Sequence, residues 1–303
     1  MTKPDSPPRP QSSVHVGLPQ RLLGMLLVTH PIPSLMYVTA VALFSVLAAY
    51  SSGHAIIPAT LARVLVGVAC AQVAIGTLND YMDRELDAQS GRSKPLVMGL
   101  ITPRMALGQV ICATILLLLL FMPLGWVALL LGMLIEGLGL AYDLGLKSTP
   151  FSGLLYAIYF PLIPLLAWVV FGSYQPFLWW VLPFGAALGL AMNIANTLPD
   201  LESDTEAGVR GLPHLLGLRN GLAVVWITPP AVYLVMALLD LFGIVPAQPL
   251  GLALAGVAAT LPVAIAAFLY FRRPEAHTLR ITFYIQAAGV LAMAAAWFFA
   301  VAL

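Results

Sequence analysis

Long apolar runs separated by short polar breaks recur along the chain, and each has about the ~20 residues that a helix needs to cross a bilayer. The third and fourth runs nearly fuse, but Pro123 and Gly125 interrupt them and their combined length is too great for one span. The runs lie at about 22–49, 60–80, 104–122, 124–142, 152–171, 177–199, 221–243, 249–271 and 281–302. This pattern predicts an all-α integral membrane protein with nine transmembrane helices.

The composition agrees with a protein that is surrounded by lipid. Hydrophobic residues make up 60% of the chain and charged residues 9%, which leaves too little polar surface to cover a water-soluble domain. The net charge of +1 provides no basic face, so we expect no nucleic-acid partner. The two cysteines, Cys70 and Cys112, lie inside apolar runs, where we interpret them as packing residues.

The distribution of positive charge predicts the orientation. With the N-terminus in the cytoplasm, every Lys and Arg except Arg63 falls on the cytoplasmic side of the predicted spans. We therefore expect a multi-pass protein of the cytoplasmic or plasma membrane of a prokaryote, with its C-terminus outside. Residues 1–20, rich in Pro and Ser and without a signal-peptide core, are expected to be a disordered cytoplasmic tail before a single transmembrane domain at 21–303.

Most of the acidic residues lie in two short segments, one after the second run and one after the sixth. Each segment contains an amide and two carboxylates spaced four residues apart: Asn79, Asp83 and Asp87, and Asn196, Asp200 and Asp204. At ~100° per residue each triplet drifts only ~40° per step, so it forms one polar stripe on a helix. The alternative, that these are only solvated loop charges, does not explain the four-residue period or its second copy.

Crowded carboxylates at a membrane surface repel one another unless cations neutralise them. Carboxylate and amide oxygens suit Mg²⁺, whose coordination is commonly completed by substrate phosphate oxygens. We therefore expect Mg²⁺ and a diphosphate substrate. Nearby basic residues would hold the remaining phosphate oxygens, although each can also be read as a determinant of topology alone. These residues are Arg92, Lys94, Lys147 and Arg210.

Three motifs resemble one known family. The segment NDYMDRELD at 79–87 resembles the NDxxDxxxD signature of the UbiA superfamily of intramembrane prenyltransferases. YDLGLK at 142–147 is similar to the family's Tyr-to-Lys segment, and DLESDTEAG at 200–208 to its second DxxxDxxxG motif. The chain departs from many members in having Lys94-Pro95 in place of Arg-Pro, and from some in having Asn196 in place of an acid.

The resemblance implies a helical fold around a central cavity, with Mg²⁺ at both acidic motifs and an allylic diphosphate at the cytoplasmic mouth. Its implied metal ligands are Asn79, Asp83, Asp87, Asp200 and Asp204. The expected diphosphate-binding residues are Asn79, Arg92, Lys94, Lys147, Asn196 and Arg210. The expected catalytic residues are Asp80, Asp83, Asp87, Tyr142, Lys147, Asp200 and Asp204. Tyr81 or Tyr142 would offer a π face to the allylic cation, and Asp80, Asp143 or Asp200 would accept a proton.

The resulting hypothesis is Mg²⁺-dependent transfer of an isoprenyl group from an allylic polyprenyl diphosphate to a small aromatic acceptor of the quinone-precursor type. His30 lies on the same side and is a candidate for acceptor binding. The same fold would also serve a glycerol-phosphate, sugar-phosphate or tetrapyrrole acceptor, or a membrane terpene cyclase. A secondary transporter is the alternative from another class, but it predicts acids near the bilayer midplane and not at one face.

Overall fold

The computed structural model describes residues 16–206 and 208–302, and all regular elements within these ranges are helical. Nine helices in the described ranges are long and apolar enough to cross a membrane, which confirms the predicted fold class. The helices are α1 (Leu18–Leu27), α2 (Pro31–Ser51), α3 (Pro58–Gln89), α4 (Pro103–Phe121), α5 (Trp126–Asp143), α6 (Ser152–Phe171), α7 (Leu178–Thr197), α8 (Leu201–Glu206), α9 (Leu212–Leu241), α10 (Pro249–Arg272) and α11 (Ala276–Ala302).

Prolines mark the start of several spanning helices. Pro31, Pro58, Pro103 and Pro249 each occupy the first helical position, where the missing N–H has no intrahelical partner and the fixed φ suits the helix. The helices remain apolar on their outer faces, as expected for contact with lipid tails. Phe271, for example, is exposed on the outside of α10.

The first predicted span, 22–49, is wrong at its beginning. The structure divides this run into α1 and α2, with a break at residues 28–30. Pro31 disfavours a helical conformation for the residue before it, and His30 adopts left-handed backbone angles of φ 51° and ψ 68°. Part of the predicted tail lies outside the described residues, but Leu18 to Gln20, which it included, form the first turn of α1.

The second acidic triplet also differs from the predicted single helix. α7 ends at Thr197, a 3₁₀ turn follows at Leu198–Asp200, and α8 carries the remainder of the motif. Pro199 lies in this turn and cannot donate the backbone hydrogen bond that a continuous helix requires there. The first triplet, by contrast, lies entirely within α3.

The helices form a bundle in which α2, α6, α7 and α11 contact one another, while α3 and α5 pack beside α2 and α6. Successive spanning helices alternate in direction. The C-terminal ends of α3, α5 and α7 therefore meet the N-terminal ends of α2, α6 and α11 at one end of the bundle. We call this the polar end, because it carries both acidic motifs.

Candidate active site

Arg92 joins the two acidic motifs at the polar end. Its guanidinium lies 3.2 Å from Asp87 on α3, 3.1 Å from Asp200 in the 3₁₀ turn and 3.7 Å from Asp204 on α8. Burial alone would lower the pKa of Arg92, but the carboxylates of Asp200 and Asp87 outweigh that effect and raise it above its ordinary value. The predicted stripes therefore face each other across one permanently charged side chain.

A tight turn after α3 brings Arg92 and Lys94 back over the end of that helix. The backbone N–H of Arg92 donates to the Asp87 carbonyl at 2.9 Å, and Gly91 supplies a positive φ of 64° in the turn. Lys94 then donates to Asp80 Oδ1 at 2.5 Å and lies 3.6 Å from Asp87 Oδ2. Both carboxylates are almost fully buried, so each depends on these cations for neutralisation.

Lys147 reaches the site from the short 3₁₀ turn Leu146–Ser148 between α5 and α6. Its Nζ donates to both carboxylate oxygens of Asp83 at 2.6 Å and lies 3.9 Å from Asp143 Oδ1. Asn79 Nδ2 donates to the same Asp143 oxygen at 2.8 Å. The first acidic motif and the Tyr-to-Lys segment thus form one connected group of charges.

The remaining residues that the sequence selected occupy different positions. Asn196 and Tyr142 both line the cavity at the polar end. The Tyr142 hydroxyl accepts a hydrogen bond from Asn193 at 3.3 Å. Arg210 is exposed in the loop after α8 and is not among the cavity-lining residues.

Arg280, near the start of α11, is a cavity residue that the sequence did not single out. It donates to both oxygens of Asp200 at 2.8 and 2.9 Å. Its only sequence signal is its place at the predicted cytoplasmic end of the last apolar run, which the positive-inside rule already explains. Asn193, which donates to the Tyr142 hydroxyl, is also a residue that the sequence did not single out, since a buried amide within an apolar run carries no spacing signal.

A cavity of about 920 Å³ lies at the polar end. Its lining includes Asn79, Asp83, Arg92, Lys94, Asp143, Lys147, Asn196, Asp200, Asp204 and Arg280, whereas the buried Asp80 and Asp87 are not among the lining residues. A deeper apolar chamber of about 310 Å³ lies between α2, α3, α6, α7 and α11. The aromatic side chains along the chamber include Tyr37, Phe44, Tyr156, Tyr159, Phe184 and Phe298. The two spaces share the lining residues Pro33, Gln72, Ile75, Tyr142, Tyr156 and Phe283. A ligand with a charged head and an apolar tail can therefore occupy both.

The chemistry of the acidic groups fits a hard divalent cation. In the described part of the chain no three His, Cys, Asp or Glu side chains already surround a common point as ligands, because the acids hold Lys and Arg instead. Asp87 and Asp143 each nevertheless keep a buried Oδ2 atom without a hydrogen-bond partner. Unpartnered buried carboxylate oxygens are costly and suit a bound cation.

The fold and site together define a polytopic membrane protein that holds facing acidic motifs and cationic side chains above an aromatic chamber. Residues 35–288 match the UbiA prenyltransferase family. The chain therefore belongs to that family and is a prenyltransferase, which confirms the resemblance drawn from its three motifs.

Two relatives differ in the activity that their names state. The chain is 26% identical over 163 residues to a 4-hydroxybenzoate octaprenyltransferase from Pseudoalteromonas atlantica, a match that covers 53% of this chain and 57% of the relative. It is 27% identical over 219 residues to a digeranylgeranylglyceryl phosphate synthase from Natronomonas pharaonis, covering 70% of this chain and 78% of the relative.

A solved UbiA homolog from Archaeoglobus fulgidus, bound to GPP and Mg²⁺, has the same fold. It aligns with a TM-score of 0.64 at 19% identity and covers 90% of this chain and 99% of the homolog. At that identity the likeness extends to the fold alone.

Proposed function

We propose that this protein transfers an isoprenyl group from an allylic diphosphate to a small aromatic acceptor, in a reaction that requires Mg²⁺. The observation that carries the proposal is the continuity between the charged cavity and the aromatic chamber, which share six lining residues. The diphosphate would bind in the first space and the isoprenyl tail in the second. A homolog bound to GPP and Mg²⁺ supports the same pairing of ligands.

The acidic motifs would hold the metal. Asn79, Asp83, Asp87, Asp200 and Asp204 are the proposed ligands, and Mg²⁺ bound there would neutralise charge on the departing diphosphate. Ligation would draw these carboxylates away from Arg92 and Lys147, whose cationic groups then become available to the phosphate oxygens. Lys94 and Arg280 border the same cavity and would add positive charge where the leaving group develops its negative charge.

Aromatic walls next to the site would protect the allylic cation that remains after the C–O bond breaks. Tyr142 and Tyr156 line both spaces, and their rings meet edge to face with centroids 5.3 Å apart. An aromatic face stabilises a nearby cation electrostatically, and the surrounding apolar side chains exclude water that would otherwise capture it.

The balance of charge favours an acceptor without a phosphate. Among the described residues that line the cavity, each Lys and Arg is already ion-paired to an acid of the site. The acids outnumber these four cations. The acids and the diphosphate together therefore use the positive charge that the metal and the four side chains supply. A phosphorylated acceptor would need a further cation. A phenolic ring fits the aromatic lining without one.

The polar end would face the cytoplasm, since almost all basic residues of the chain lie on that side of the spans. This orientation would give the site direct access to a water-soluble diphosphate.

The test is prenyl transfer by the purified protein in lipid nanodiscs. A radiolabelled C10, C15 or C20 allylic diphosphate is supplied with Mg²⁺ and either a phenolic acceptor or a glycerol phosphate, and the lipid product is extracted. We expect product with the phenol and none in EDTA. Product with the phosphorylated acceptor alone would overturn the aromatic assignment, as the Natronomonas relative would suggest. Full turnover in EDTA would overturn the metal assignment.

A further inference from the structure

His30 occupies an unusual position between α1 and α2. It is the one non-glycine residue with a positive φ in the described part of the chain, and it lines the charged cavity. Such backbone conformations are sparsely populated and persist only where surrounding structure holds them, frequently at functional sites. Two contacts hold His30, one through a ring nitrogen and one through the close approach of the turn at Thr29 and His30 to α3.

The side-chain contact fixes the role of each ring nitrogen. His30 Nε2 lies 2.9 Å from Asp80 Oδ1, the same buried oxygen that accepts from the Lys94 ammonium. An ionised carboxylate beside an ammonium only accepts, so Nε2 must carry the proton that it donates. In the neutral imidazole Nδ1 is then left with a free lone pair, which makes it an acceptor of protons.

The close approach of this turn to α3 sets which edge of the ring faces the cavity. A Cβ atom at Gly76 on α3 would lie 2.9 Å from the Thr29 carbonyl and 3.2 Å from His30 Cδ2. Only a glycine lets this turn approach α3 so closely. The Cδ2 edge of the imidazole therefore rests against α3, and the opposite edge, which carries Nδ1, points away from it. With about a third of its side chain exposed, His30 presents that edge to the cavity.

We propose that His30 is a catalytic residue that takes the proton from the hydroxyl group of the acceptor, with Asp80 as the positioning residue that orients it. The inference rests on the proposed prenyl transfer and deepens it, because it requires the acceptor to carry a hydroxyl. The arrangement follows the general logic of a histidine base that a buried carboxylate holds in the correct tautomer.

The reaction balances with one base. The C1–O bond of the donor breaks and its electron pair leaves on the diphosphate. As the hydroxyl proton moves to His30 Nδ1, the ring carbon beside the hydroxyl gains electron density and forms the new bond to C1. His30 then returns its proton to the oxygen, and the neutral imidazole accepts the proton that leaves the substituted carbon, which restores the aromatic ring; His30 finally releases that proton to water. One proton and one diphosphate are released for each prenylated ring.

The test compares His30→Gln with wild type at saturating Mg²⁺ and donor. The glutamine amide can still donate to Asp80 but is not a base. We expect kcat to fall by about 10²–10⁴-fold, the usual contribution of a general base, with the donor KM unchanged. The loss should be smaller for phenols whose hydroxyl is more acidic, since they need less help in losing the proton.

A second variant removes the ring without straining the turn. Glycine adopts a positive φ readily, so His30→Gly should fold, and added imidazole should restore part of its turnover. His54→Gln is the matched control, because His54 lies past the opposite end of α2 and bonds the Phe171 carbonyl. We expect that variant to retain normal kcat.

A normal kcat in His30→Gln would overturn the inference. The inference would also be overturned if His30→Gln weakened donor binding by the same factor as it lowered the rate, and if imidazole did not restore turnover in His30→Gly. His30 would then only shape the charged cavity. A wild-type protein that transfers no isoprenyl group to any acceptor would overturn the proposed function, and this role of His30 with it.

Discussion

Replacing Lys147 by Met should change metal binding and donor binding in opposite directions. Lys147 donates to both oxygens of Asp83 at 2.6 Å, so a metal ion must displace the ammonium to bind that carboxylate. The methionine keeps most of the apolar stem and removes the charge. The variant therefore removes a competitor of the metal and, on the proposed function, a partner of the diphosphate.

The size of each effect follows from the exposure of the pair. Hydrogen bonds to charged groups contribute about 1.5–3 kcal/mol. Lys147 and Asp83 each keep about a fifth of their side-chain exposure, so water screens the pair in part and the lower end of that range applies. Since about 1.4 kcal/mol corresponds to a tenfold change, we expect metal affinity to rise and donor affinity to fall by about tenfold each.

Two measurements separate these outcomes. Titration of Mn²⁺ without donor, followed by the signal of the free ion, reports the metal affinity, and steady-state transfer at saturating acceptor reports the donor KM and kcat. Arg273→Met is the matched control, because Arg273 is an exposed basic residue at the same end of the bundle. If both affinities equal those of wild type, Lys147 only determines topology. If both fall together, the substitution has disrupted the site, and the displacement of Lys147 by metal is refuted.

Three further predictions test other parts of the site and fold. Asp83→Ala and Asp200→Ala should each lower kcat by at least about 10²-fold while the protein still inserts, because the leaving group loses neutralisation; near-normal turnover in either would remove that residue from the metal site. Gly76→Ala should unfold at a lower temperature than wild type, because its Cβ would lie 2.9 Å from the Thr29 carbonyl. Gly108→Ala, which has open space at that position, should unfold at the wild-type temperature, and equal melting temperatures for the two variants would contradict the close approach of the turn to α3. Single cysteines introduced beside Arg92 and Arg210 should react with an impermeant thiol reagent from the same side of the membrane, and labelling from opposite sides would contradict the predicted orientation.

The sequence predicted the spanning helices well because a bilayer imposes one length and one polarity on each of them. It predicted the neighbourhoods of Asp83 and Lys147 because a repeated four-residue spacing and a short motif marked them. Breaks within apolar runs were harder to predict. The run at 22–49 contains Pro31, yet a proline at the first position of a helix and one inside a helix give the same local signal, and the left-handed backbone of His30 in the structure shows which applies.

Partnerships across the bundle were beyond the sequence for a different reason. Arg280 pairs with Asp200, which lies 80 positions away, and no spacing within either helix indicates the pairing. Asp80 likewise reads as one more acid in a crowded motif, although burial sets it apart from Asp83 and gives it both His30 and Lys94 as partners. Such assignments depend on which helix ends meet, and local pattern does not carry that information.

Arg92 links the two acidic motifs through its ion pairs with Asp87, Asp200 and Asp204. Facing carboxylates on α3 and α8 would repel each other, but Arg92 contacts both, and its guanidinium is charged across the physiological range. On the proposed function, metal binding replaces this neutralisation and leaves the guanidinium beside the arriving phosphates. Arg92→Met should then separate the motifs before any substrate is present, whereas Arg280→Met, which removes contacts to Asp200 alone, should weaken donor binding and leave the motifs in place. Spin labels on cysteines placed at the exposed positions Ala88 and Thr205, one on each of these helices, should therefore show a longer or broader distance distribution in Arg92→Met than in Arg280→Met, and equal distributions would show that helix packing alone holds the site together.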